Sequence, residues 1–226
     1  MKFTQLETKF EVTLTPAAPA VASFILLHGL GADGWDFVPI VSELRLPDTL
    51  PVRFVFPHAP VRPVTVNNGY EMRAWYDIKA FTPEGRADAA GLEESARRVN
   101  DYLRRETALG VPSSHIVLAG FSQGGAVALH AGLRYPERLA GLLALSCYLP
   151  FPEALAAEQS DANSDVPILM CHGRADPIVP IGMGLEARDV LTASGYALAW
   201  HEYPMQHEVC AEEVAEVARW LRGRLA

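Results

Sequence analysis

The sequence predicts an α/β fold, a mostly parallel sheet with helices on both faces, and three observations predict it. Short apolar runs recur along the chain: "ASFILLHG", "PVRFVFPHAP", "SHIVLAG", "LAGLLALS", "VPILMCHG" and "YALAWHEYP". Most end in Gly, Pro or His, the composition of strand ends and turns. Helical patterns lie between them. Leu92, Ala96, Val99 and Leu103 draw one apolar stripe along a stretch otherwise rich in Arg and Glu, as on a helix with one face against a core. Strands that alternate with helices imply a sheet covered on both sides, whose strands read as continuous apolar runs.

In chain order, "FEVTL" alternates apolar and polar residues and is expected to add an edge strand. "ASFILLHG" is the first parallel strand, a helix is expected after Gly34, and "PVRFVFPHAP" is the next strand. The segment "VRPVTVNNGYEMRAWYDI" holds too many polar and turn residues for core structure. A connection of that length is functional or disordered, and Trp75 and Tyr76 argue against disorder. The helix of Leu92 to Leu103 follows. "HIVLAG" then runs as a strand straight into "GGAVALHAGL" as a helix. Between "LAGLLALS" and "VPILMCHG", residues 147–165 leave room for a loop and a short helix. They cannot form a cap domain, since domains need at least about 50 residues. A helix around Leu185 to Thr192, the strand "YALAWHEYP" and a last helix carrying Val214, Val217 and Leu221 complete the chain. No repeat or low-complexity linker interrupts it, so one domain, 1–226, is expected.

Half of the 226 residues are apolar, enough for a substantial core. The formal net charge of −8 repels phosphate backbones and anionic lipid, which argues against a nucleic-acid partner. No run of eighteen apolar residues is present, so no integral membrane association is expected. The N-terminal stretch lacks the continuous apolar region of a secretory signal. The three cysteines, Cys147, Cys171 and Cys210, are odd in number and form no C-x-x-C. They read as reduced thiols of a cytoplasmic protein, not as disulfides or zinc ligands.

"GFSQGG", residues 120–125, falls on the turn between a buried strand and a helix. The pentapeptide is G-x-S-x-G, the pattern of a nucleophile elbow: a strained turn lifts Ser122 Oγ clear of the sheet. Gly120 and Gly124 read as small because strand and helix approach too closely there for Cβ atoms. A serine hydroxyl needs a base, and in this architecture the chain order is serine, acid, histidine. His201 and His207 lie far enough downstream. His201 belongs to the strand "YALAWHEYP", whereas His207 lies in a loop able to swing over the strand ends, so His207 is preferred. Among the acids, Asp165 precedes its strand and Asp189 falls within a helix, and Asp161 also lies in the interval. Asp176 follows "PILMC" at the C-terminal sheet edge, where open α/β sheets bind ligands, and is chosen. Acyl transfer also needs oxyanion donors. The Gln123 N–H follows the nucleophile at a helix N-terminus, and the glycine-rich "HGLGADG" supplies a second, assigned to Leu30 N–H. His28 lies upstream of the elbow and is expected to brace that loop. No paired metal ligands at helical spacing occur, so no metal or organic cofactor is expected.

The segments "LLHGLGADGWDF", "FPHAPVRPVTVNNGYEMRAWYDI", "GFSQGGAVALH", "LSCYLP", "ILMCHGRADPIVP" and "YPMQHEVC" together resemble the carboxylesterase and acyl-protein thioesterase family of α/β-hydrolases, its bacterial carboxylesterases in particular. The resemblance implies the α/β-hydrolase fold with no large cap domain. It carries over Ser122, Asp176 and His207 as the triad and Leu30 and Gln123 as oxyanion donors. It implies Trp75 and Ile178 as walls of the acyl site, with the segment around Trp75 folded over the active-site edge. Gln206 departs from it, since relatives often have Gly before the histidine. The implied activity is hydrolysis of carboxylic esters. Thioesters, lysophospholipids and acylated proteins are alternative substrates, and acyl transfer is an alternative reaction. A small ester or acylated substrate is the expected partner, and a homodimer is left open.

Overall fold

The computed structural model describes residues 2–80 and 88–225. The elements run β1 (Phe3–Glu7), β2 (Glu11–Pro16), β3 (Ala22–Leu27), α1 (Ile40–Glu43), β4 (Val52–Pro57), β5 (Val61–Val64), β6 (Tyr70–Arg73), α2 (Ala89–Ala108), β7 (Ile116–Phe121), α3 (Gln123–Arg134), β8 (Gly141–Leu145), α4 (Leu155–Glu158), β9 (Ile168–Gly173), α5 (Ile181–Ala193), β10 (Leu198–Tyr203) and α6 (Ala211–Leu225). Eight strands form one sheet in the order β1-β2-β4-β3-β7-β8-β9-β10, and β5 and β6 form a separate hairpin. From β4 to β10 every neighbouring pair is parallel, and β2 alone pairs antiparallel with both its neighbours. This is the expected α/β-hydrolase arrangement. Between β8 and β9 the chain makes only α4 and short 3₁₀ turns, and no large separate cap domain covers the strand ends.

Both faces of the sheet are buried over β4, β3, β7, β8 and β9, which is why those strands are apolar without alternation. Ile25 and Leu27 of β3 enter a core with Leu92 and Val99 of α2, Leu129 of α3 and Leu191 of α5. The alternate residues Phe24 and Leu26 enter the opposite core with Ile40 of α1 and Val217 and Leu221 of α6. Each such side chain contributes about 1.5–3 kcal/mol relative to exposure. At the start of α2, the Asp88 side chain accepts from Gly91 N–H, a cap worth about 1 kcal/mol.

Three details differ from the sequence reading. "FEVTL" forms β2, which lies second from the edge; β1 covers it and is itself exposed along most of its length. β1 therefore carries no apolar pattern that would reveal it. After Gly34 the chain makes a 3₁₀ turn over Gly34–Phe37, with the Asp33 side chain accepting from Trp35 N–H, and then only the single turn of α1. The polar segment following β4 begins with the β5–β6 hairpin, where Asn68 and Gly69 both take positive φ, 57° and 74°.

Chain order sets the position of the site. From β3 the chain moves to β4 on one side and later returns to β7 on the other. At such a switch point the loops leaving the two strands diverge and open a crevice at their C-terminal ends. The loop after β3 and the turn after β7 flank it.

Candidate active site

Ser122 occupies the turn between β7 and α3 with φ 55° and ψ −121°. A non-glycine residue in that region costs of order 1–3 kcal/mol and persists only when its surroundings hold it. Here its N–H donates to Leu145 O at 2.8 Å, and its carbonyl accepts from Ala126 N–H at 3.1 Å. The flanking glycines have a steric cause. A Cβ on Gly120 would lie 2.2 Å from Gly124 O, and one on Gly124 would lie 2.2 Å from Leu27 O. The elbow therefore forms only with glycine at both positions, and it presents the serine at the strand ends.

Ser122 Oγ lies 2.8 Å from His207 Nε2, and His207 Nδ1 lies 2.7 Å from Asp176 Oδ2. The hydroxyl thus donates to Nε2 of the imidazole, whose Nδ1–H donates to the carboxylate. His207 comes from the loop between β10 and α6, with its ring 4.7 Å from that of Phe121. Asp176 is 6 % exposed. Its second oxygen, Oδ1, accepts from Ile178 N–H at 2.9 Å and Val179 N–H at 2.8 Å, so three donors compensate its burial. His172 donates through Nε2 to Val179 O at 2.8 Å and supports the same loop. Burial pushes its pKa below the usual histidine range, so it adds no charge beside the acid.

The alternatives are engaged elsewhere. His201 Nε2 lies 3.6 Å from Glu216 Oε1 of α6. Asp165 pairs with Arg138, and Asp189 with Arg188.

The loop after β3 is held by side chains. Gly31, at φ 78°, donates its N–H to Arg73 O of β6 at 2.9 Å. His28 Nε2 accepts from Ala59 N–H at 3.0 Å, so the ring proton is on Nδ1, which donates to Gly29 O at 2.7 Å. Burial pushes the His28 pKa down to about 4; the ring is neutral and fully engaged, which suits a brace and not a base. Leu30 and Gln123 each stand three residues beyond the paired positions Leu27 and Gly120 of β3 and β7. Gln123 opens α3, where backbone N–H groups have no partner within the helix. Ile178 is 56 % exposed beside the acid. Trp75 is 1 % exposed, and its indole N–H donates to His28 O at 2.9 Å.

Sequence reasoning missed the Ile178 and Val179 amides on Asp176, the Gln123 side chain, which accepts from Trp75 N–H and donates to Tyr76 O, and His172. For the acid, a usable signal was Asp followed by a tight turn, where the side chain bonds the backbone two residues on. The Gln123 contacts span 47 and 48 residues and leave no local trace.

A cavity of about 440 Å³, with Glu153 and Glu186 in its wall, lies between the segment that follows β8 and α5. Tyr148, Leu149 and Phe151, which follow β8, and Met183, Ala187 and Val190 of α5 line it. Among the described residues, no group of three or more His, Cys, Asp or Glu could hold a metal ion, and no helix is long and apolar enough to cross a membrane. All three cysteines are free, and burial pushes the Cys147 and Cys171 thiols up.

A family described as phospholipase/carboxylesterase matches residues 8–224. Acyl-protein thioesterase 1 of Neurospora crassa is 39 % identical over 222 residues, covering 94 % of this chain and 91 % of that protein. Acyl-protein thioesterase 1 of Yarrowia lipolytica is 35 % identical, covering 95 % and 96 %. The crystal structure of SOBER1 from Arabidopsis thaliana superposes with a TM-score of 0.86 at 30 % identity, over 91 % of this chain and 99 % of that one. The Bacillus cereus carboxylesterase shares the fold, with a TM-score of 0.75, but only 18 % identity. The expected kinship with bacterial carboxylesterases is thereby corrected. These fungal and plant relatives, at 30–39 % identity, stand much nearer than the Bacillus cereus enzyme at 18 %.

Proposed function

Because the chain belongs to the phospholipase/carboxylesterase family, we propose that its site cleaves carboxylic esters, thioesters included, with the following division of labour. His207 takes the Ser122 proton as Oγ attacks the acyl carbonyl. Asp176 holds the imidazole in the tautomer that leaves Nε2 free to accept, and stabilises the imidazolium. The Leu30 and Gln123 amides donate to the oxyanion of the tetrahedral intermediate. His207 then protonates the leaving alcohol or thiol. Water activated by the same imidazole cleaves the acyl-enzyme.

The observation that carries this reading is the unbroken Ser122–His207–Asp176 hydrogen-bond chain on an elbow. The largely apolar lining of the cavity beside α5 supports an acyl chain as the bound half of the substrate, with Ile178, exposed beside the acid, assigned to a wall of the acyl site. The names of the fungal relatives favour an S-acylated protein over a lysophospholipid as the natural substrate. The three free thiols support a reducing compartment such as the cytoplasm. The exposed edge strand β1 is one surface through which a homodimer would form, which sedimentation at two concentrations tests.

A panel of substrates varying acyl length and leaving group separately tests the activity. Each methylene buried contributes up to about 0.8 kcal/mol, so kcat/KM should rise by up to about fourfold per methylene until the cavity is full, for oxygen esters and thioesters alike. Without a cap domain, the rate should show no jump when substrate aggregates form. Faster transfer to an added alcohol than to water would overturn hydrolysis in favour of acyl transfer.

A further inference from the structure

A hydrogen-bond chain that the steps above do not use joins the loop after β3 to the first turn of α3. Trp75 is at its centre. Its backbone N–H donates to Gln123 Oε1 at 2.9 Å, and its indole N–H donates to His28 O at 2.9 Å. Gln123 Nε2 returns a bond to Tyr76 O at 2.8 Å. Ser95 Oγ of α2 donates to Trp75 O, which fixes the residue from a third direction. From His28 the chain continues through Nδ1–H to Gly29 O at 2.7 Å. That carbonyl belongs to the Gly29–Leu30 peptide. A trans peptide is planar, with its C=O and N–H pointing in opposite directions, so the bond that holds Gly29 O also sets where Leu30 N–H points. His28, Trp75, Tyr76 and Gln123 are all at most 3 % exposed. An acyl chain touches only surface that is open to it, and Trp75 offers almost none.

We infer that Trp75 is a positioning residue, a strut whose two N–H groups hold the Leu30 and Gln123 amides in register so that both address one oxygen. The inference rests on the reading that those amides stabilise the oxyanion. Stabilisation that exists only in the transition state depends on donors aimed in advance. Removing a donor outright costs about 10²–10³ in kcat, and loosening its aim costs less.

Trp75→Phe keeps an aromatic ring and removes the indole N–H. The expected result is a fall in kcat of about tenfold, an equal loss of affinity for a trifluoromethyl ketone that forms a tetrahedral adduct on Ser122, and an unchanged dependence of KM on acyl length. As a control, Trp35→Phe removes an indole N–H that donates to Glu7 Oε1 at 3.0 Å, and it should change none of these. His28→Ala breaks the same chain one link further on, so its cost should shrink in the Trp75→Phe background. An altered acyl-length profile with ketone affinity following only that change would make Trp75 a wall and overturn the strut. An unchanged kcat, or additive losses in the double variant, would overturn it too. Replacing the Leu30 amide by an ester separates the two levels. No effect there removes the oxyanion reading itself, whereas a large loss there with a silent Trp75→Phe removes only the strut.

Discussion

Asp176 and Glu213 are two buried carboxyl groups in the C-terminal third of the chain, and they live in opposite environments. Asp176 is 6 % exposed and accepts from the His207 ring and from the Ile178 and Val179 amides. Glu213, in the first turn of α6, is fully buried, and neither of its oxygens has a hydrogen-bond partner among the described residues. The Cys210 amide approaches it without closing a bond, and Cys171 and Tyr203 are neighbours. Burial pushes the Glu213 carboxyl up to about 8. Its place at a helix N-terminus favours the anion by only about 0.3–1 kcal/mol, and desolvation wins. Burial alone therefore does not make an acid useful to catalysis; what matters is whether donors meet it. The chain spends three donors on one carboxylate, which serves the histidine, and none on the other.

That contrast can be broken most severely at Asp176. Asp176→Asn should lower kcat by about 10⁴-fold with the fold intact, because an amide supports the wrong tautomer of His207. Circular dichroism and steady-state kinetics read both halves of that outcome. At Glu213 the effect should fall on stability and not on rate. An unfolded glutamate ionises near 4.5, whereas the folded one holds its proton to about 8. The stability it contributes is thus fully present below about pH 4.5 and is lost as pH rises through about 8. Glu213→Gln should leave kcat within about tenfold and gain in melting temperature relative to wild type between pH 5 and pH 8. A constant difference across that range would show that Glu213 does not titrate as described. Smallest of all, His201→Gln should change kcat by less than about threefold, since its ring faces Glu216 and not the serine.

How much of this was legible in the sequence depended on whether the cause was local. Five of the six parallel strands announce themselves because both faces are buried, whereas β10, at the sheet edge, is only partly buried. Ser122 does so because its elbow demands glycines at fixed positions. Asp176 and His207 followed from chain order and sheet polarity. β1 was not legible, since an exposed edge strand carries no apolar code. The β5–β6 hairpin was hidden by its polar composition, although Asn68–Gly69 marked its turn. Trp75 illustrates the limit for the site. The family resemblance implied it as a wall of the acyl site, but its partners are His28 and Gln123, which are remote in sequence. Nothing local marks Glu213 as buried; the packing of α6 against β9 buries it.

In the proposed chemistry Ser122 is the activated nucleophile and the His207–Asp176 pair activates it. Intact-mass and peptide mass spectrometry after treatment with a fluorophosphonate measure this most directly. The expected result is a single adduct on the peptide carrying Ser122, no adduct in Ser122→Ala, and much slower labelling in Asp176→Asn. Ser122→Ala should also lose turnover on the order of 10⁶-fold. Labelling of a different serine, or labelling of Ser122 at an undiminished rate in Asp176→Asn, would contradict that chemistry.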